Sequence, residues 1–323
     1  MRRGSLFVIL SAVMALVLVI IAVMLYFGYQ TVNAASVAVN FAPQTHVISQ
    51  VVNLKADPNA TSNNSSTATI RAHLATFSTT QQQTGNTTGQ VECTFFFGCK
   101  QGVDVADVTN LVNQMLPGMK QSLTQKLQGK MSEVHGIEIG PVNFSDPVIN
   151  SSPQIGATGQ NVTVTVTEQG SVGYFLTTDE TNAVNASLNS ALTSFGAGYQ
   201  LVNSTINIGH AVTKSVDPTS GISRIAVPAG AVARYQFTPA QLQAISSGLV
   251  GKSLSDAQTF LKKQAGIDPA SISIHFTTGS GSSMPGDIQH IKLQPLAGGT
   301  LPGVQLTPVS GFTPTPSSTS NGN

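Results

Sequence analysis

The sequence contains no tryptophan, few charges and only two cysteines, and each shortage narrows what the protein does. Charged residues make up 9% of the chain and the formal net charge is +1, so there is no basic footprint for nucleic acid. Nucleic acid is therefore not expected as a partner. The six histidines (His46, His73, His135, His210, His275 and His290) are far apart, and none has a second His or Cys at ligand spacing. No metal or other cofactor is expected, although His275 and His290 would approach one another if their strands pair. There is no Gly-x-Ser-x-Gly elbow, and Ser283 in the Gly279–Ser283 loop has no evident base. Gly251-Lys252-Ser253 looks like the end of a phosphate-binding loop, but Ser246 stands where that loop needs glycine. An enzyme is not expected. A carboxylate hydrolase stays open only if the fold pairs Glu133, Glu138 or Glu168.

What the sequence does have begins with Leu6–Phe27, an unbroken apolar run of 22 residues after Arg2 and Arg3. At ~1.5 Å per residue a helix over it would reach ~33 Å, against a hydrocarbon core of ~30 Å. This predicts a single-pass transmembrane signal-anchor over 6–28 in contact with the lipid bilayer. Residues 1–5 would be cytoplasmic, and the body extracellular at the cell membrane. A cleaved signal peptide is the competing reading, with Val32 and Ala34 before Ala35.

Cys93 and Cys99 enclose Thr94-Phe95-Phe96-Phe97-Gly98. In an exported chain this pair should close a disulfide, worth roughly 2 kcal/mol for so short a loop. The bridge would hold Phe95, Phe96 and Phe97 in a small knuckle. Two readings remain open: an exposed tip that touches a partner or lipid, or rings that plug a nearby core. Nine Asn-x-Ser/Thr triplets occur, as an Asn/Ser/Thr-rich composition produces by chance.

The expected fold class is α+β. A β-rich juxtamembrane subdomain over 29–102 would carry strands at Ser36–Leu54, broken near Pro43, and at Thr67–Phe77. Thr79–Gln90, which has no large apolar residue, reads as loop. From Asp104, Val105, Val108, Leu111, Val112, Met115, Leu116, Met119, Leu123 and Leu127 recur at helical spacing. Pro117-Gly118 should kink or split that helix. Three helix-plus-strand-pair units are expected, over 103–178, 179–238 and 239–295, then a disordered tail over 296–323.

The apolar run followed by SVAVNFAPQTHVISQVVNLKA, NVTVTVTEQG, GAGYQLVNS and YQFTPAQLQAISSGLVGKSLSDAQTFLKKQAGIDPASISI with MPGDIQHIKLQ resembles bacterial membrane-anchored baseplate-J-like proteins. The likeness covers most of residues 100–295. It implies a structural protein of the cell envelope, acting in assembly or adhesion with other envelope proteins as partners. The family's longer β-rich segment after Gly89 is replaced here by the Cys93–Cys99 knuckle. Val250–Ile267 is similar to the opening of the wall-binding repeat associated with penicillin-binding proteins and kinases. That second likeness implies a module for cell-wall polymer (peptidoglycan), with Leu254, Ala257, Phe260 and Leu261 inward. Lys252, Lys262 and Lys263 would then be the positive positions open to an anionic glycan or peptide stem.

Overall fold

The computed structural model describes residues 13–24, 35–64, 67–297 and 301–310. The protein is α+β. Its strands are β1 (Ser36–Phe41), β2 (Thr45–Asp57), β3 (Thr69–Arg71), β4 (His73–Asn86), β5 (Gly89–Thr94), β6 (Gly98–Gly102), β7 (Gly136–Phe144), β8 (Val148–Ser152), β9 (Asn161–Leu176), β10 (Tyr199–Leu201), β11 (Asn207–Ile208), β12 (Val212–Val216), β13 (Ser223–Tyr235), β14 (Ser273–Thr278) and β15 (Ile291–Pro295). Its helices are α1 (residues 13–24), α2 (Val105–Val134), α3 (Thr177–Ala191), α4 (Pro239–Leu249) and α5 (Leu254–Lys262).

The transmembrane expectation is corrected by α1. Of the apolar run the structure describes residues 13–24, which are helical and reach ~18 Å at ~1.5 Å per residue, against a hydrocarbon core of ~30 Å. Among the described residues no helix is long and apolar enough to cross a membrane. Hydropathy measures the length of an apolar run, whereas spanning requires that length as continuous helix. The single-pass anchor, and the cell-membrane placement with a cytoplasmic N-terminus and extracellular body that was built on it, are therefore withdrawn. The remainder of 6–28, the 1–5 segment and the cleavage-site residues Val32 and Ala34 lie outside the described residues.

The chain divides into two compact units. The first draws its described residues from Met1–Ile48, Leu192–Thr205 and Ala231–Val304. Its central strand is β1, antiparallel to β14 through Val39↔Ile274 and parallel to β15 through Val39↔Leu293. Helices α4 and α5 bury Ile245, Leu249, Ala257 and Leu261 against Val37, Val39 and Phe41. Each helix has a sequence reason to start where it does. Thr238 and Gln241 exchange capping-box hydrogen bonds ahead of Pro239, and the Ser253 hydroxyl accepts from the Asp256 amide at 3.1 Å. Gly248 lies under Phe260; a Cβ there would come within 2.3 Å of the ring, so any larger residue would have to displace it.

The second unit draws its described residues from Ser49–Ala191, Ile206–Gly230 and Gln305–Asn323. Its frame is the sheet β4-β9-β7, with β8 also on β9 and α2 laid across one face. β4 and β9 pair without a break from His73↔Tyr174 to Asn86↔Asn161. The stretch Thr79–Asn86, read from sequence as loop, is therefore strand. It lacks large apolar residues because its side chains are largely solvated, and hydroxyl pairs Thr80–Thr167 (3.0 Å) and Thr84–Thr163 (2.8 Å) join it to β9.

Helix α2 runs for 30 residues straight through Pro117. Proline inside a helix costs ~3 kcal/mol. That cost is outweighed by the stripe of buried residues on both sides, Leu111, Val112 and Met115 before it and Met119, Leu123, Leu127 and Met131 after it. Each contributes ~1.5–3 kcal/mol. Asp104 caps the helix, and His135, at φ 50°, ends it in the left-handed region.

Candidate binding surface

The most exposed apolar feature of the second unit grows from the hairpin β5–β6. Register is set at its base by Gly89↔Gly102, Gln90↔Gln101 and Val91↔Lys100, and it slips before Thr94↔Gly98. Glycine is required at both ends of that base. A Cβ on Gly102 would lie 2.7 Å from the Ala157 carbonyl oxygen, and one on Gly89 would lie 2.8 Å from that of Gly102. From Glu92 round to Gln101 every residue is exposed.

The turn itself is Phe95-Phe96-Phe97, closed by a disulfide between Cys93 and Cys99. The rings are 99%, 87% and 93% exposed, so they do not plug a core. Phe95 and Phe96 meet edge to face at 5.5 Å and otherwise stand in solvent. Gly98, at φ 76°, takes the left-handed conformation that turns the chain back into β6. Just below the tip, Lys100 Nζ donates to Glu92 Oε2 at 2.8 Å. The contact raises the lysine pKa and leaves the hairpin shaft without net charge.

Asp107 anchors the hairpin to the helix. Its carboxylate accepts from the Thr88 hydroxyl (2.6 Å), the Thr88 amide (2.9 Å) and the Asp104 amide (3.0 Å). The Thr88 hydroxyl, followed by these amides, holds the Asp107 carboxyl below the usual aspartate range. Three further backbone bonds tie the hairpin foot to the segment before β9: Val103 to Ala157 (3.0 Å), Gly156 to Val103 (2.8 Å) and Gly159 to Gln101 (3.0 Å). The root of the hairpin is fixed and its end is free.

No family model, curated protein or solved structure matches this chain. The reading of its surfaces therefore rests on their own chemistry.

In the first unit, Leu254, Ala257, Phe260 and Leu261 face the core. Lys262 and Lys263 are exposed at the end of α5, while the ammonium of Lys252 lies 5.5 Å from the centre of the Phe260 ring. The Ser253 side chain of the Gly-Lys-Ser triplet is engaged in capping α5. His275 and His290 are on opposite sides of β1, the former bonded to Ser273 and the latter to Ser36 at 3.2 Å. Among the described residues no group of three or more His, Cys, Asp or Glu is placed to hold a metal.

The carboxylates singled out from sequence have three different settings. Glu133 is exposed and pairs with Lys130 at 3.1 Å, and Glu138 is exposed on β7. Glu168 is fully buried on β9, in the inward row of Val162, Val164, Val166 and Val172. Neither of its oxygens accepts a hydrogen bond, and Lys120 Nζ is 4.0 Å away.

Sequence reasoning missed three features. Asp107 reads as an ordinary acidic residue of a first helical turn, and its reach to Thr88 needs the tertiary fold. Glu180 sits on the inward face of α3 with Ala183, Val184 and Leu188, 4% exposed; the i, i+3, i+4, i+8 spacing was a signal that could have found it. The third is an aromatic chain in the first unit, Phe41–Phe237–Tyr235–Tyr199–His46–Phe195, with ring centres 4.6 to 5.2 Å apart. Gln44 accepts from the Tyr199 hydroxyl (2.8 Å) and Gln241 donates to that of Tyr235 (2.9 Å). A cleft of about 250 Å³ lies beside this chain, lined by Pro43, Arg234, Phe237, Leu242 and Leu296. Its arginine has no convergent acid or nucleophile among those residues.

Proposed function

We propose that the protein is a structural or adhesion body that works by surface contact rather than by catalysis, and that its contact element is the disulfide-closed phenylalanine tip. One observation carries this reading: three consecutive Phe side chains, each at least 87% exposed, on a hairpin whose root is anchored. Burying a Phe ring is worth ~1.5–3 kcal/mol, so displaying three of them forgoes stability that a core would have used. Contiguous exposed apolar surface of that kind marks an interaction site.

The assembly or adhesion role is in keeping with the likeness to baseplate-J-like proteins noted from sequence. The alternative, a wall-binding face on Lys252, Lys262 and Lys263, draws less support, because Lys252 lies over Phe260. The test is retention of the full chain on isolated cell envelopes of its source. Phe95→Ser, Phe96→Ser and Phe97→Ser together should lower retention at least tenfold while leaving circular dichroism unchanged. Equal retention of the two proteins would refute the role of the tip. A loss on reversing Lys252, Lys262 and Lys263 instead would point to the wall-binding alternative.

A further inference from the structure

The shape, area and charge of the tip bear on what it touches. Three Phe side chains present roughly 450–750 Å² between them. A stable protein interface takes about 800 Å² from each partner. The missing area would have to come from the shaft, and the shaft offers Glu92, Thr94, Lys100 and Gln101, all polar and exposed. A protein groove would desolvate that polar collar for little return. A lipid surface needs no matching shape and leaves the collar in water.

The dimensions agree. At ~3.3 Å per residue the Glu92–Lys100 pair stands on the order of 10 Å below the apex. Side chains that lie in the interfacial layer of a bilayer reach ~5–10 Å into it. The rings would therefore occupy the acyl boundary while the ion pair stays at headgroup level. Because Glu92 and Lys100 neutralise one another, the tip carries no preference for anionic lipid.

We propose that Phe95, Phe96 and Phe97 insert into the interfacial layer of a lipid surface, a deepening of the contact role above on which it rests. Insertion is peripheral, is driven by apolar burial and is insensitive to headgroup charge. The disulfide keeps the rings together at the apex, so little conformational entropy is lost on insertion.

The chain has no tryptophan, so Phe96→Trp in the full-length protein gives a single indole at the apex, excited selectively over the five tyrosines at the red edge of its absorption. That local readout matters because α1 exposes apolar side chains of its own and could adsorb to vesicles independently. The probes are vesicles of phosphatidylcholine and of phosphatidylcholine with phosphatidylglycerol, each with and without bromine-labelled acyl chains. Insertion predicts a blue-shifted emission from the introduced indole, quenched by the brominated chains, equal in the two compositions and unchanged by salt. Adding Phe95→Ser and Phe97→Ser should weaken that signal roughly tenfold per ring. Water-like, unquenched emission while the protein floats with the vesicles would overturn the proposal, as would quenching confined to anionic vesicles and abolished by salt. If the rings are required for envelope retention yet the indole at position 96 is not quenched, the contact role stands and the lipid inference falls.

Discussion

Replacing Glu180 by Gln should stabilise the protein at alkaline pH and leave it unchanged in acid. Glu180 is on the inward face of α3, and its Oε1 has no hydrogen-bond partner. Burial is the cause that lifts its pKa from 4.5 to about 7. Below pH 4.5 the carboxyl is neutral in the folded and unfolded chains alike, and the shift has no effect on stability. Between 4.5 and about 7 the unfolded chain ionises while the folded one holds its proton, so stability falls as pH rises. Above that window both forms are ionised and the penalty is constant. At 1.36 kcal/mol per unit the ceiling is ~3 kcal/mol. Local relaxation around the buried charge leaves an expected gain of about 1–2 kcal/mol for Glu180→Gln at pH 8. Urea unfolding followed by far-ultraviolet circular dichroism at pH 4, 6 and 8 measures it. The two proteins should coincide at pH 4 and separate progressively by pH 8. A difference that is the same at all three pH values, or a variant less stable at pH 8, would refute the reasoning.

Other consequences are open to the same kind of measurement. Asp107→Ala removes the acceptor for three hydrogen bonds at the root of the hairpin, and should cost ~2–3 kcal/mol and speed amide exchange at Thr88. Because the Asp107 pKa is depressed, its contribution is present above the ordinary aspartate value of 3.8. It is lost as pH falls through the lower folded value, so wild type and variant should converge in strong acid. Pro117→Ala restores a helix-compatible residue at an exposed position of α2 and should raise stability by ~1–3 kcal/mol in urea unfolding; no gain would mean that the helix is shaped around the proline.

Where side-chain periodicity is local, the sequence reads well. The start of α2 at Asp104, the Thr238-Pro239 start of α4 and the alternation of Val162, Val164 and Val166 in β9 each need only neighbouring residues. Pairing across distance is where it fails. Thr79–Asn86 has no apolar pattern because β9 supplies the partner and water solvates the outer face, so nothing local marks it as strand. Pro117 breaks helices in isolation, and only the buried stripe on either side shows why it does not here. The apolar run at the N-terminus misleads in the opposite sense, since it has the hydropathy of a span, yet among the described residues no helix is long and apolar enough to cross a membrane. Of the candidate surface, the cysteine pair and the three rings between them are legible in the chain itself. Which way those rings face depends on whether the hairpin root pins the tip near a core, and Asp107 with the Ala157 segment holds the root and leaves the tip clear.

The central claim is that contact is made by the rings at the apex, and photo-crosslinking from the apex tests it most directly. A benzophenone amino acid at position 96, and in a second protein at the exposed loop residue Thr219, places the same probe at the tip and away from it. Contact through the rings predicts adducts from position 96 in cells and few or none from position 219. Equal yields from both positions, or none from position 96, would contradict it.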